Sequence, residues 1–167
     1  MRPFVIFAAL TASLAGLVGI SGAQGQRPVQ IPGTIPVYRL YNPGNQDHLL
    51  TNDVNEASEL PYQGFNYEGI EFYASPRPGP GLMPLYRFYQ WQGTHFYHTS
   101  QNPARQPGVD YEGVLGYIAQ QRIPGTRPLY RWHNPREDLY FYTTDRRGEA
   151  AAINQYRYDG VVGYVVK

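Results

Sequence analysis

The chain has 167 residues, with 14 Lys and Arg against 13 Asp and Glu, a net charge of +1 and no cysteine. Such a balance argues against a nucleic-acid partner, which favours a basic face, and against a polybasic membrane contact. Without cysteine there is no disulfide framework, so stability has to come from a hydrophobic core.

The first segment reads as an export signal. Met1-Arg2 is a short positive start, Phe4 to Ile20 is apolar apart from Thr, Ser and Gly, and Ser21-Gly22-Ala23 offers small residues for cleavage. The expectation is a signal peptide over residues 1–23 and a secreted, extracellular protein with no membrane attachment after its removal. Loss of Arg2 leaves 13 basic and 13 acidic residues. Residues 24–35, rich in Gln, Pro and Gly, read as an extended linker.

From Pro36 onward one pattern occurs three times. PVYRLYNP (36–43) returns as PLYRFYQW (84–91) and PLYRWHNP (128–135). A second block follows each time: HLLTN (48–52), HFYHT (95–99) and YFYTT (140–144). A third closes each copy: FNYEGI (65–70), VDYEGV (109–114) and YRYDGV (156–161). The repeats span 36–83, 84–127 and 128–167, and self-similarity at such a period decides the fold before anything else does.

Each block is a short aromatic and β-branched run bounded by Pro, Gly, Asn or Asp, which is strand composition with turn punctuation. Blocks one and two predict a hairpin joined by residues 42–47, 90–94 or 134–139. Block three runs on past its glycine, so it predicts a bulge or bend and room for two strands. Residues 53–60 and 148–154 are polar with Ala and Glu, and predict single helical turns. Four short strands taken three times predict an all-β domain with pseudo-threefold symmetry. A propeller generally has more blades and a sandwich calls for no threefold repeat. That leaves a β-trefoil as the expectation and a β-prism as the alternative.

The blocks PLYRFY, THFYHTS and YEGVLGY resemble the repeat of an uncharacterised family of secreted lectin-like β-trefoil domains, with the pattern PLYRxYNP, DHFYTT, YEGxAxY. The resemblance covers essentially the whole chain after the leader. It implies a lectin-like, non-catalytic module and no reaction. The chain departs from the pattern at Leu50, Asn52, Thr94 and Leu139-Tyr140, and it lacks the Gln-x-Trp signature of ricin-type lectins.

A residue kept in all three copies serves the shared framework, and one that breaks the symmetry is freer to serve a ligand. Tyr38, Tyr86 and Tyr130 alternate with Arg39, Arg87 and Arg131, which places the two sets on opposite faces. Leu40, Phe88 and Trp132 share the tyrosine face, so that face, Trp132 included, is expected to be core. An acid stands at the matching place in every third block, predicting the ion pairs Arg39–Glu68, Arg87–Glu112 and Arg131–Asp159.

Three-residue spacing on a strand points His95 and His98 to opposite faces, so no metal site and no cofactor is expected. Threefold symmetry separates the three acids beyond glycosidase range, and no nucleophile context is visible, so catalysis is not expected. Trp91 replaces a turn proline in Gln90-Trp91-Gln92-Gly93 and is expected to be exposed, in a setting suited to a sugar ring. Asp47, His48, His95, Asn134, Asp138 and Tyr140 complete the ligand candidates with Trp91 and Gln90. The functional expectation is a secreted carbohydrate-binding module. The alternatives are a protein-binding module such as a protease inhibitor, for which the long loops 74–83 and 101–108 speak, and a structural or effector protein.

Overall fold

The computed structural model describes residue 31 and residues 33–149 and 155–167. The predicted signal, most of the predicted linker and residues 150–154 of the second predicted helical turn lie outside the described residues.

The described chain is all-β and antiparallel throughout. The first unit holds β1 (Ile35–Asn42), β2 (Asp47–Thr51) and β3 (Asn66–Ala74). The second holds β4 (Leu82–Gln90), β5 (Thr94–His98) and β6 (Val109–Ala119). The third holds β7 (Thr126–Asn134), β8 (Leu139–Thr143) and β9 (Arg157–Val166). In every unit the first strand lies between the other two, with Tyr38 opposite Thr51, Tyr86 opposite His98 and Tyr130 opposite Thr143. The third block forms one strand, not two, so each unit has three strands where four were expected. The reason is that its glycine bends the strand without ending it.

That bend is a pair of bulges repeated in each unit. Arg39, Arg87 and Arg131 lie opposite Gly69, Gly113 and Gly160, and the register slips on both sides of that pair. The slips leave Glu68, Glu112 and Asp159 without an opposing residue. The glycines take φ of +106°, +131° and +144°, which a side chain would resist. A bulge re-aims the side chain beside it, and here that residue is always the acid.

First-strand side chains keep alternating, because the unpaired residues lie on the third strand, and both faces of the first strand meet core clusters. Val37, Leu85 and Leu129 are wholly buried, and so are Leu40 and Phe88, three positions further on. Tyr38, Tyr86 and Tyr130 are only half-buried. The expected tyrosine face is core at Leu40 and Phe88, and Tyr38 packs beside Leu40 against Leu49, Ala57 and Leu60, while the tyrosines themselves keep partial exposure. Trp132 is half-buried and packs against Leu139, Phe141 and Tyr156.

The units join in the middle. The second strands β2, β5 and β8 pack against one another. The third strands meet through β9, with Tyr73 opposite Val166 and Ala119 opposite Tyr164. One core cluster therefore draws on all three units, including Val37, Leu50, Leu85, Tyr97, Leu129 and Tyr142. Within the predicted turn 53–60, the chain forms α1 (Val54–Glu59), capped by Asp53, whose side chain accepts from the Asn55 N–H. It runs on into a 3-10 turn, Leu60–Gln63. The second unit has a 3-10 turn, Asn102–Arg105, in the corresponding stretch.

Candidate functional site

The three bulges each place a carboxylate against the arginine of the neighbouring strand. Arg39 Nε lies 2.7 Å from Glu68, Arg87 Nε 2.8 Å from Glu112 and Arg131 Nε 2.5 Å from Asp159. A second carboxylate reaches two of these arginines from another unit. Arg39 Nη1 and Nη2 donate to Glu149 at 2.9 Å each, and Arg87 Nη1 and Nη2 donate to Glu56 at 2.7 and 3.0 Å. Burial opposes ionisation of Glu56 and Glu149, but the arginine hydrogen bonds outweigh it and hold both carboxyls below the usual range. Arg39 has a third partner, the buried Glu71 at 3.2 Å, which also accepts from the Thr144 N–H and hydroxyl. Sequence reasoning missed Glu56, Glu71 and Glu149. The only signal was that both turn segments with helical composition carry a glutamate.

Four of the ligand candidates meet in pairs, Asp47 with His95 and Gln90 with Asp138. Asp47, 1 % exposed, accepts from the His95 N–H at 2.8 Å and contacts His95 Nδ1 at 2.6 Å. His95 Nε2 lies 3.4 Å from Glu112, which ties this pair to the Arg87 cluster. Gln90 Nε2 donates to Asp138 at 2.7 Å, and the other Asp138 oxygen lies 2.9 Å from His133 Nε2. These bonds join the hairpin turns of successive units. Asn134 is buried and accepts from the Arg136 N–H, fixing its own turn. His48 is wedged between Tyr41 and Phe141, at 4.6 and 4.7 Å between ring centres. Burial first, then the Arg39 charge, lowers its pKa to about 4. Tyr140 stacks on His133 at 4.4 Å, and burial followed by the Asp138 charge pushes its hydroxyl up to about 12. Of these seven candidates Asp47, Gln90 and Asn134 are buried, His48, His95 and Tyr140 are half-buried, and Asp138 is exposed. Short turn side chains at a boundary between packed units are drawn into bonds across it.

Trp91 stays open. It is 70 % exposed, and its indole N–H donates to Asp110 at 2.9 Å. Three further aromatics are exposed at one repeated position: Tyr67, Tyr111 and Tyr158, at 52, 44 and 55 %. Each packs beside the half-buried tyrosine of the first strand, Tyr38, Tyr86 or Tyr130, at 6.2, 5.8 and 6.2 Å. Their recurrence marked them as framework in the sequence, and it concealed their exposure.

Two unit boundaries open as clefts. One of about 270 Å³ is lined by Thr51, Glu56, Arg87 and Glu112. The other, of about 130 Å³, is lined by His98, Thr99, Arg131 and Asp159. Among the described residues no group of three or more His, Asp or Glu side chains is placed to hold a metal ion.

Strands in matching register, arginine–carboxylate cradles and an exposed tyrosine in every unit define an all-β repeat protein. The family model for a domain of unknown function, DUF5648, matches residues 20–107, more than half of the chain. The chain belongs to that family, which agrees with its resemblance to an uncharacterised domain family. The match takes in the first unit and the second as far as the segment before β6. No curated protein and no solved structure matches the chain.

Proposed function

We propose that the protein is a secreted, non-catalytic carbohydrate-binding module with up to three quasi-equivalent sites. The observation that carries this reading is the exposure of Tyr67, Tyr111 and Tyr158 at one repeated position on rigid strands. Sugar rings stack their C–H faces on such aromatics, and the polar groups nearby serve the hydroxyls. Trp91, held by Asp110, adds a fourth platform in the second unit. The non-catalytic part of the reading draws on the carboxylates of the cradles, which are tied to arginines. The matching registers of the three units support closure with threefold pseudosymmetry, as a β-trefoil or, alternatively, a β-prism.

A second reading has its own observation. Ile70, Val114 and Val161 are exposed close to the three tyrosines, and mixed aromatic and aliphatic surface also suits a protein partner. A glycan array on the protein freed of residues 1–23 separates the two. Retention of a glycan that is lost in Tyr111→Ala or Trp91→Ala supports the carbohydrate reading. An array with no retained glycan overturns it, and protease-inhibition assays then test the protein-binding reading.

A further inference from the structure

The chain closes two of its three arginine cradles from a neighbouring unit, and the third it leaves to Asp159 alone. In both closed cradles the division of labour is the same. Nε takes the acid of the same unit, and the two Nη atoms take a carboxylate of another unit as a fork. Arg131 Nε takes Asp159, but its fork meets no carboxylate. All 13 Asp and Glu residues of the chain lie among the described residues, and Asp159 is the only one of them in a salt bridge with Arg131.

The surroundings are otherwise equivalent. Asp53, Ser100 and Asp145 start the same turn, their N–H groups donating to Thr51 Oγ1, His98 Nδ1 and Thr143 Oγ1 at 3.0, 2.9 and 3.0 Å. Beyond that turn Glu56 follows in the first unit and Glu149 in the third. The second unit carries Pro103, Ala104 and Arg105 in that stretch, with no acid. The cleft walls match as well: Gly160, Val161 and Val162 stand where Gly113, Val114 and Leu115 line the Arg87 cleft.

We propose that the Arg131 cleft is a carboxylate-binding site, taking from an external ligand the group that Glu56 and Glu149 supply at the other two boundaries. A planar guanidinium fork pairs bidentately with a carboxylate. At 130 Å³ the cleft has room for roughly four water-sized groups, enough for a carboxylate and the atoms that bear it. His98 supplies a second donor where the other units have threonine. Its Nδ1 accepts from the Ser100 N–H, so the neutral ring carries its proton on Nε2. The inference goes beyond the carbohydrate reading and does not depend on it, because a carboxylate without a sugar is also accommodated.

The test is an NMR titration of the full chain freed of residues 1–23, following the Arg131 Nε–H and the His98 ring. Glucuronate, N-acetylglycine and glucose are the probes. Both carboxylates are expected to give saturable shifts, and glucose none. A stronger response to glucuronate assigns the natural source to an acidic sugar, and an equal response assigns it to small organic acids. Arg131→Lys keeps the charge but loses the fork, and is expected to weaken binding about tenfold. Ala104 is exposed and follows His98 by the same six residues that separate Glu149 from Thr143, so Ala104→Glu is expected to fill the fork and abolish the shifts. Absence of saturable shifts with either carboxylate overturns the proposal, and so does parental binding in both folded variants.

Discussion

The Tyr97 hydroxyl is bonded to both backbone groups of Leu50: it accepts from the Leu50 N–H at 2.6 Å and donates to its carbonyl at 2.8 Å. Tyr142 repeats this on Tyr97, at 2.8 and 2.7 Å. Both rings are almost fully buried, and burial raises both hydroxyl pKa values. Leu50 stands where a third tyrosine would close the ring. Tyr97→Phe leaves a buried N–H and a buried C=O without a partner and is expected to cost about 1–3 kcal/mol. Chemical denaturation of the variant measures it.

The arginines should differ in the order of their carboxylate load. Arg39 is 8 % exposed and faces Glu68, Glu71 and Glu149, so Arg39→Met strips a buried carboxylate of its main partner. Its expected cost is about 3–5 kcal/mol. Arg131→Met breaks one partly exposed pair and should cost about 0–1 kcal/mol. Arg87→Met falls between them. Equal losses across the three variants in urea unfolding would contradict the ordering.

His48 should make the fold acid-sensitive. Its pKa is about 4 in the folded chain against the 6.5 of a solvated histidine, so the unfolded chain binds the extra proton. Stability contributed by the neutral ring is therefore full above pH 6.5 and falls as pH drops through 4, by about 3 kcal/mol in all. Glu56 and Glu149, held below their usual range, lose their contribution at lower pH still. His48→Phe should flatten the upper part of the stability–pH curve, which thermal melts between pH 7 and 4 will show.

Gly148 lies against the Trp132 indole. A Cβ there would sit 2.4 Å from the ring, and φ is +71°. Gly148→Ala is expected to cost at least about 2 kcal/mol, from overpacking and backbone strain together. A lower melting temperature with a shift in Trp132 emission, read in a Trp91→Phe background, reports it.

Trp91→Ala should leave stability within about 0.5 kcal/mol of the parent, because the indole is exposed and its one bond, to Asp110, lies at the surface. A stable variant makes any loss of binding attributable to the surface itself.

How far the sequence could be read follows from these particulars. The three repeats foretold three units, and the glycine in each third block foretold a bulge. The acid before each glycine was matched with the arginine opposite because both recur. Glu56 and Glu149 were not legible as partners, since nothing in a repeat says which unit lies beside which. Tyr38 and Leu40 share a core-side face as the alternation foretold, but the partial exposure of the tyrosine depends on what packs over it, which the strand pattern does not show. Asp47 and His95 look like solvent-facing turn polars on their own strands. Only the packing of one turn on the next makes them partners.

Arg39 and Glu149 are 110 residues apart. During synthesis the first unit emerges well before the carboxylate that its arginine fork takes in the folded chain. Its own Glu68 and Glu71 are available early, but the clamp that seals the boundary arrives only with the third unit. Because the fork partner belongs to the third unit, the boundary around Arg39 closes only when that unit packs against the first. A contact of that sequence separation carries a loop-closure entropy that a local contact does not. A chain cut before Glu149 would keep Arg39 paired with Glu68 and Glu71 but would lack the carboxylate that ties the first unit to the third.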